Sequence, residues 1–361
     1  MVICHIITGF SFGGAERLLV NFANIHARQH KVHIVFLKGE ATLKPLLDSS
    51  IKLHHFTLGL GSVLQLRNLI KEIGAQVVHT HLGHADFLGF LACAGLKCKL
   101  FCTMHNIWFK FNYKDYLIFA AYWLSFKTIA KRASVICISK VVEKHVNKVL
   151  GVANSRSHLV YNCIPSLEKN ISKEEARAQL EVRKEAFCAL FVGRLEKQKS
   201  LHTLIEAVSL LPKKMLDNTI VLIVGEGSLE KDLKQHTQAL GVSSHIRFEG
   251  ATFNPEKYFL AADVFLLSSV FEGLGIVILE AFRAGLPVIA SAIEGPEELI
   301  LHKENGLLFE MGNAHAMCEQ IKLLYNDKDF RIKIAEKAQQ GFQDRFEIKT
   351  YAKRLIEIYT E

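Results

Sequence analysis

The chain has 361 residues, half of them apolar, and a formal net charge of +8 at pH 7. This length predicts two domains, because a single hydrophobic core rarely serves so many residues. Six prolines and no low-complexity tract exclude a largely disordered protein. The longest apolar run, residues 116–126, is too short to cross a bilayer, so we expect no membrane-spanning helix.

Cysteine usage and the first residues indicate the compartment. The eight cysteines form no C-x2-C pair and lie mostly in apolar runs, which predicts reduced core thiols. A strand-like pattern begins at residue 2 without a basic stretch before it, so no signal peptide is expected. These features predict a cytoplasmic protein.

The charge is unevenly distributed. Residues 1–165 contain 19 Lys and Arg against 7 Asp and Glu, whereas the remainder contains 25 against 29. A basic first half suits an anionic partner such as nucleic acid, a phospholipid surface or a phosphorylated substrate. Ordinary solvated lysines explain the same excess equally well.

The first half alternates predicted strands and helices. After the strand at 2–8, Gly13 and Gly14 open a predicted helix at 15–27, an arrangement that presents free backbone N–H groups to an anion. A dinucleotide site is the alternative, but the next strand ends in Lys38-Gly39 without the acid that binds ribose. Further strand patterns, with helices between most of them, predict a parallel sheet covered on both faces; they lie at 52–56, 77–79, 100–103, 135–138 and 159–161.

Polar residues follow several of these strands, at the edge where parallel sheets bind ligands. They are His79, His81, His105, Asn106, Ser139, Lys140 and Asn162. A histidine at such a place is more often a hydrogen-bonded core residue than a ligand. The segment 108–132 is rich in aromatic and basic residues, which favours either an interfacial helix or a core helix packed on the sheet.

A linker is predicted near 165–172, followed by a second sheet beginning with the strand at 188–192. Gly193, Arg194 and Lys199 occupy the loop after that strand, where two cations can clamp a diphosphate or remain solvated. The next strand, 220–224, runs into Glu226 and Gly227.

The most informative stretch is a strand at 264–267, a turn at 272–275 and a helix at 276–283. Such a turn aims helix N–H groups at an anion, and two carboxylates, Glu272 and Glu280, flank them. The alternative is that Glu272 complements the helix N-terminus while Glu280 pairs with Arg283. Asp327 and Asp329 form a D-x-D in a polar turn, which predicts a helix start rather than a metal site.

Glu272 and Glu280, with seven residues between them, resemble the E-x7-E signature of the family 4 retaining glycosyltransferases (group 1 type, GT-B fold). Further similar motifs lie at 13–17, 103–106, 193–200 and 225–228. The chain departs from the family pattern at Leu274, where an aromatic residue is usual, at Ser200, where glycine is usual, and at 294–298.

This resemblance implies an α/β fold of two Rossmann-like, doubly wound parallel-sheet domains facing a central cleft. The N-terminal, acceptor-binding domain would cover 1–165, with a final helix at 346–361 crossing back to it. The C-terminal domain, at 173–345, would bind the nucleotide-sugar.

The resemblance also implies roles for individual residues. The catalytic group would comprise His105, Arg194, Lys199 and Glu272. Donor-binding positions would be Gly14, Gly193, Arg194, Lys199, Glu226, Gly227, Glu272, Gly273, Leu274, Gly275, Ile276, Val277 and Glu280. The acceptor side would comprise Gly13, Gly14, Glu16, His105 and Asn106. No cofactor and no metal are expected, because fixed cations and helix N-termini would carry the compensating charge.

The expected reaction is a retaining transfer of a sugar from a nucleotide-sugar to a glycan or a polyprenyl- or lipid-linked acceptor, in cell-surface polysaccharide, lipopolysaccharide or glycolipid synthesis. The alternatives are a nucleotide-sugar 2-epimerase of the same fold and a non-catalytic protein that binds an anionic glycolipid. An anionic membrane surface is a further expected partner of the basic half, on the cytoplasmic face, and no nucleic acid is expected.

Overall fold

The computed structural model describes residues 1–11, 13–105, 126–129, 131–166, 171–252 and 254–361. The chain separates into two compact units, Met1–Pro165 with Glu347–Glu361, and Ser166–Phe346. The sequence-based boundaries were 165 and 173 around the linker, and 346 for the final helix. The last helix belongs to the same unit as the N-terminal residues.

A parallel sheet of seven strands, in the order β3-β2-β1-β4-β5-β6-β7, forms the core of the first unit. The strands are β1 Val2–Gly9, β2 Lys31–Lys38, β3 Lys52–His55, β4 Val77–His81, β5 Lys99–Met104, β6 Ser134–Cys137 and β7 Ser157–Leu159. The described helices are α1 Gly14–His26, α2 Leu60–Glu72, α3 Gly83–Cys93, α4 Lys140–Lys148 and the C-terminal helix Ile348–Thr360.

The C-terminal helix packs on this unit through an apolar and aromatic face. Its buried residues include Tyr351, Leu355 and Tyr359. The ring nitrogen Nε2 of His26, in α1, lies 2.8 Å from the carbonyl oxygen of Ala352. Lys99 donates to the carbonyl oxygen of Tyr359, 3.1 Å away, at the end of the helix where a cation is favoured.

The second unit is built on a parallel sheet of six strands in the order β10-β9-β8-β11-β12-β13. Its strands are β8 Phe187–Val192, β9 Thr219–Val224, β10 Ile246–Gly250, β11 Val264–Leu267, β12 Val288–Ser291 and β13 Leu307–Phe309. Its helices are α5 Lys173–Gln179, α6 Leu201–Ser209, α7 Lys213–Leu216, α8 Glu230–Ala239, α9 Glu256–Ala261, α10 Ile276–Ala284, α11 Glu294–Glu297, α12 Ala314–Asn326 and α13 Lys328–Arg345.

The α/β class and the parallel sheets predicted from the sequence are confirmed. Buried apolar runs such as β11, whose four residues are all fully buried, explain the central strands, because helices must cover both faces of a parallel sheet. In each sheet the chain moves outward in one direction and then returns to the other side of the starting strand, as doubly wound sheets do.

Several details differ from the sequence-based expectation. Strand β4 continues to His81, two residues beyond its predicted end, and the predicted helix start at 294–298 is a single short turn, α11. Asp327 caps α13, its Oδ1 accepting from the Phe330 N–H at 2.8 Å, which confirms the predicted helix start there. All eight cysteines are free thiols, as predicted.

The aromatic and basic segment 108–132 falls outside the described residues except for 126–129 and 131–132. Within the described part of the chain, no helix combines the length and the apolar character needed to cross a bilayer.

Candidate active site

The candidate site of the second unit lies where its strand order reverses, between β8 and β11. The loops that leave these adjacent strands meet at the carboxyl edge of the sheet, where such folds bind ligands. Three hydrogen bonds join the loops: Val270 N–H to Gln198 O at 2.9 Å, Gln198 Nε2 to Phe271 O at 3.0 Å, and Ser268 Oγ to Lys199 O at 2.8 Å. Lys199 and Glu272 are thereby held on facing backbones.

The side chains of Lys199 and Glu272 form an ion pair, with Nζ 2.5 Å from Oε1. Ser269 Oγ donates to the same carboxylate oxygen at 2.6 Å. Glu272 is only 8% exposed, so its charge depends on these two partners. Sequence reasoning placed both charged residues at the site but missed Ser269 and Gln198, which fix their positions.

The turn before α10 requires its glycine. Gly275 has a φ of 89°, in the left-handed region that disfavours residues with a β-carbon. Leu274, which replaces the usual aromatic residue, is buried in the turn. The helix begins at Ile276, so the N–H groups of Ile276 and Val277 belong to the first turn, which has no intrahelical acceptors to offer them.

Glu280 lies on α10 and is half-buried. Its proposed alternative partner, Arg283, forms an ion pair with Glu256, in α9, with 3.2 Å between Nη2 and Oε1. The side chain of Arg283 is thereby tied to the body of the unit.

The loop after β8 also packs against the loop after β9. Gly193 donates to Val224 O and Leu195 to Glu226 O, both at 2.9 Å. A β-carbon on Gly225 would collide with the carbonyl of Gly193, and one on Gly227 would collide with the carbonyl of Leu195. These glycines are therefore required for the close approach of two backbones.

Two charged side chains on these loops, Arg194 and Glu226, are exposed. Arg194 is exposed, with Nη2 3.3 Å from Gln198 Oε1. The exposed Glu226 accepts from the Ala251 N–H at 3.3 Å. Ser200 has a φ of 48°, which explains why glycine is usual at this position and implies local strain of roughly 1 kcal/mol.

The close approach of Gly295 to the backbone of Glu272 was not predicted from the sequence. A β-carbon at this position would lie 2.6 Å from the carbonyl oxygen of Glu272. The segment after β12 therefore supports the turn that carries Glu272. The only signal in the sequence was the Gly295-Pro296 pair, which fits many turns equally well.

In the first unit the strand order reverses between β1 and β4. Gly13 precedes α1, and the carboxylate of Glu16 folds back so closely that a β-carbon on Gly13 would collide with Oε2. The helix N-terminus predicted to face an anion thus already has a carboxylate beside it. An anion that approaches Gly13 or Gly14 requires Glu16 to move.

His105 directly follows β5 and is half-buried, with Nε2 3.3 Å from Nδ1 of His81. Burial lowers the pKa of His105 to about 4, so the imidazole is neutral near pH 7. Asn106, the other predicted acceptor-side residue, lies outside the described residues. His79 is a core residue bonded to Tyr359 and Thr103.

Two doubly wound parallel-sheet units, the second with charged loops where its strand order reverses, are the units expected of a GT-B glycosyltransferase. Comparison with protein families agrees: a model described as Glycosyltransferase Family 4 matches residues 12–166, and one described as Glycosyl transferases group 1 matches residues 172–341. The chain belongs to the family 4, group 1 glycosyltransferases, as the E-x7-E pattern predicted.

Two named relatives align along the whole chain. A Campylobacter jejuni protein, GalNAc-alpha-(1->4)-GalNAc-alpha-(1->3)-diNAcBac-PP-undecaprenol alpha-1,4-N-acetyl-D-galactosaminyltransferase, is 26% identical, with 100% of this chain and 99% of that protein covered. An Escherichia coli protein, UDP-Gal:alpha-D-GlcNAc-diphosphoundecaprenol alpha-1,3-galactosyltransferase, is 25% identical, with 99% and 96% covered. Both relatives are named as glycosyltransferases. The comparisons therefore do not favour the epimerase alternative or the binding-protein alternative.

Among solved structures, Anabaena HepE in complex with UDP-glucose superposes with a TM-score of 0.87 at 23% identity, covering 100% of this chain and 99% of that one. At this identity the similarity establishes the fold.

Proposed function

We propose that this chain transfers a sugar, with retention of anomeric configuration, from a nucleotide-sugar to a lipid-linked glycan acceptor in cell-surface glycan synthesis. The observation that carries the proposal is the Lys199–Glu272 pair beside the first turn of α10, with Arg194 on the same loop as Lys199. Cations and helix N–H groups in one place suit a diphosphate. The UDP-glucose bound to HepE and the undecaprenol-linked substrates named for two relatives support the donor and acceptor classes.

Each charged residue has its own role in the proposed donor site. The diphosphate lies against the N–H groups of 275–277, with Arg194 and Lys199 as cations. Glu280 holds the ribose, Glu272 holds a sugar hydroxyl, and the remaining positions of the second unit form the walls of the site: Gly193, Glu226, Gly227, Gly273 and Leu274. Binding moves one donor of Lys199 from the Glu272 carboxylate to a phosphate oxygen, which leaves Glu272 able to accept from the sugar.

The proposed reaction uses these positions. As the bond between sugar and phosphate breaks, negative charge grows on the diphosphate, and the fixed cations and N–H groups stabilise it without a metal ion. The acceptor hydroxyl attacks from the face that the diphosphate leaves, and a phosphate oxygen takes its proton. His105 contacts the transferred sugar, while Gly13, Gly14, Glu16 and Asn106 form the acceptor side.

Thermal denaturation with a panel of UDP-, GDP- and ADP-sugars in EDTA tests the donor class. One nucleotide-sugar at 100 times its Kd is expected to add about 2.7 kcal/mol of stability, a rise in melting temperature of roughly 5–10 °C. No shift with any member of the panel would contradict a nucleotide-sugar donor. A shift that appears only when a divalent ion is added would contradict the metal-free site.

We further propose that the protein works at the cytoplasmic face of a membrane, supported by the excess of basic residues in 1–165. Sedimentation with anionic vesicles at low salt is expected to carry the protein down, and a double change of the exposed Lys131 and Arg132 to glutamate is expected to weaken this. Changing the exposed Lys213 and Lys214 of the second unit in the same way is the control. Absence of binding to anionic vesicles would contradict the proposal.

A further inference from the structure

Three fully buried histidines lie side by side in the first unit, beside His105. His5 of β1 is in register with His79 of β4, and His81 follows two residues later, so the three side chains share one face of the sheet. Ring nitrogens of the three lie within 4.8 Å of one another. The rings already hydrogen-bond to their neighbours, His79 to Tyr359 and Thr103 and His81 to His5, which favours a hydrogen-bonded cluster over a metal centre.

These contacts join His5, His81 and His105 into a hydrogen-bonded series of rings that ends at His105. His105 Nε2 lies 3.3 Å from His81 Nδ1, and His81 Nε2 lies 3.4 Å from His5 Nδ1. Within the described residues, His5 Nε2 is buried without a hydrogen-bond partner. Both nitrogens of His79 are engaged elsewhere, one with the hydroxyl of Tyr359 and one with that of Thr103. His79 is therefore not part of this hydrogen-bonded series.

The protonation sites of the three histidines in this series are coupled. Burial lowers the pKa of His5, His81 and His105, so each imidazole is neutral and carries one N–H. Each contact needs one donor and one acceptor. If His81 is protonated at Nδ1, then His105 and His5 are also protonated at Nδ1; if His81 is protonated at Nε2, all three are protonated at Nε2. Only these two arrangements keep both hydrogen bonds.

The unpartnered Nε2 of His5, at the other end of the hydrogen-bonded series, distinguishes the two arrangements. Protonation at Nε2 throughout would bury an N–H of His5 without an acceptor, and orphaned buried N–H groups are rare in proteins. Protonation at Nδ1 throughout leaves only a lone pair there. We infer that His5 and His81 are positioning residues that hold His105 in the tautomer protonated at Nδ1.

This tautomer determines what His105 can do. Its Nε2 accepts from His81, so Nδ1 is the nitrogen left for a substrate, and it donates a hydrogen bond. A fixed donor suits a sugar or acceptor oxygen, whereas a free imidazole would exchange between donor and acceptor. The role at a sugar rests on the proposed function; the tautomer does not.

Histidine-labelled 15N NMR of the ligand-free protein tests the tautomer, with the His105 signals assigned by their loss in His105→Gln. We expect a single tautomer with the proton on Nδ1. We expect His81→Leu to shift His105 towards Nε2 protonation or a mixture, and His81→Asn, whose amide can donate near the Nδ1 position, to restore it. A His105 protonated at Nε2 in the native protein, or one unchanged in His81→Leu, would overturn the inference.

Turnover provides the second readout, measured as nucleoside diphosphate released from whichever nucleotide-sugar stabilises the protein. His81→Leu is expected to lower kcat about tenfold, the loss of roughly one hydrogen bond, with partial rescue in His81→Asn. His26→Gln, a change at another buried histidine of the same unit, is the control for general destabilisation. Unchanged kcat in His81→Leu would overturn the positioning role.

The outcomes of these experiments separate the two proposals. If no nucleotide-sugar binds, the proposed function fails while the NMR result still decides the tautomer. His5→Leu removes the ring farthest from His105 in the hydrogen-bonded series. This variant is used in place of His81→Leu if His81→Leu does not fold. Stoichiometric metal in the purified protein, lost in His81→Leu, would overturn the hydrogen-bonded cluster.

Discussion

Changing Lys199 to methionine is expected to lower donor turnover at least tenfold and to destabilise the second unit by about 3 kcal/mol. The catalytic loss follows from removing a cation beside the leaving diphosphate. The stability loss follows because the carboxylate of Glu272, only 8% exposed, loses its cation and has the hydroxyl of Ser269 as its remaining partner. Release of nucleoside diphosphate and calorimetric unfolding measure the two effects.

A double change separates these effects. Lys199→Met together with Glu272→Gln removes both charges, so most of the stability is expected to return while turnover stays low. Lys197→Met is the matched control, because Lys197 lies on the same loop and is exposed. Full activity in Lys199→Met, or recovery of activity along with stability in the double variant, would contradict the proposed role.

The first unit is expected to lose stability steeply as the pH falls from 7 to 5. Burial lowers the pKa of His5, His26, His79 and His81 below the 6.5 of an unfolded histidine. The unfolded chain therefore binds protons in this range that the folded unit does not, so stability is fully present above pH 7 and falls as the pH falls. One such histidine contributes about 2 kcal/mol between pH 7 and 5. Four of them can remove most of the 5–15 kcal/mol typical of a domain.

Proton uptake on unfolding provides the measurement. Calorimetry in buffers of different ionisation enthalpy is expected to show several protons taken up near pH 5.5, and about one fewer in His26→Leu. The control variant is His84→Ala, a change at an exposed histidine of the same unit. Equal stability at pH 5 and 7 would mean that the buried histidines are protonated or solvated in the folded protein.

The elements that sequence could predict are those with local causes. The buried run of β11, the glycine turn at 272–275 and the apolar face of α1 each follow from patterns within a few residues. The same holds for the loop that carries Lys199, since charges at the end of a strand are visible without a structure. The ion pair itself was not predicted, because Lys199 and Glu272 are 73 residues apart in the chain.

Contacts between distant segments could not be read from the sequence for the same reason. Gly295 against Glu272 and His5 against His81 join segments whose spacing carries no pattern. Glu16 remains a predicted acceptor-side residue; the position of its carboxylate over Gly13 was not predicted, although an acid in the first turn is attracted to its own helix N-terminus. These placements depend on rotamers and on the register between strands, which single-sequence patterns leave open.

In the proposed donor site, fixed protein charges hold the diphosphate without a bound ion. Calorimetric titration of UDP, GDP and ADP in EDTA, into the native protein and into Lys199→Met and Lys197→Met, tests it most directly. We expect one nucleotide to bind the native protein and Lys197→Met alike, and to bind Lys199→Met at least tenfold more weakly. Binding that appears only with a divalent ion, or that is equal in all three proteins, would contradict the claim.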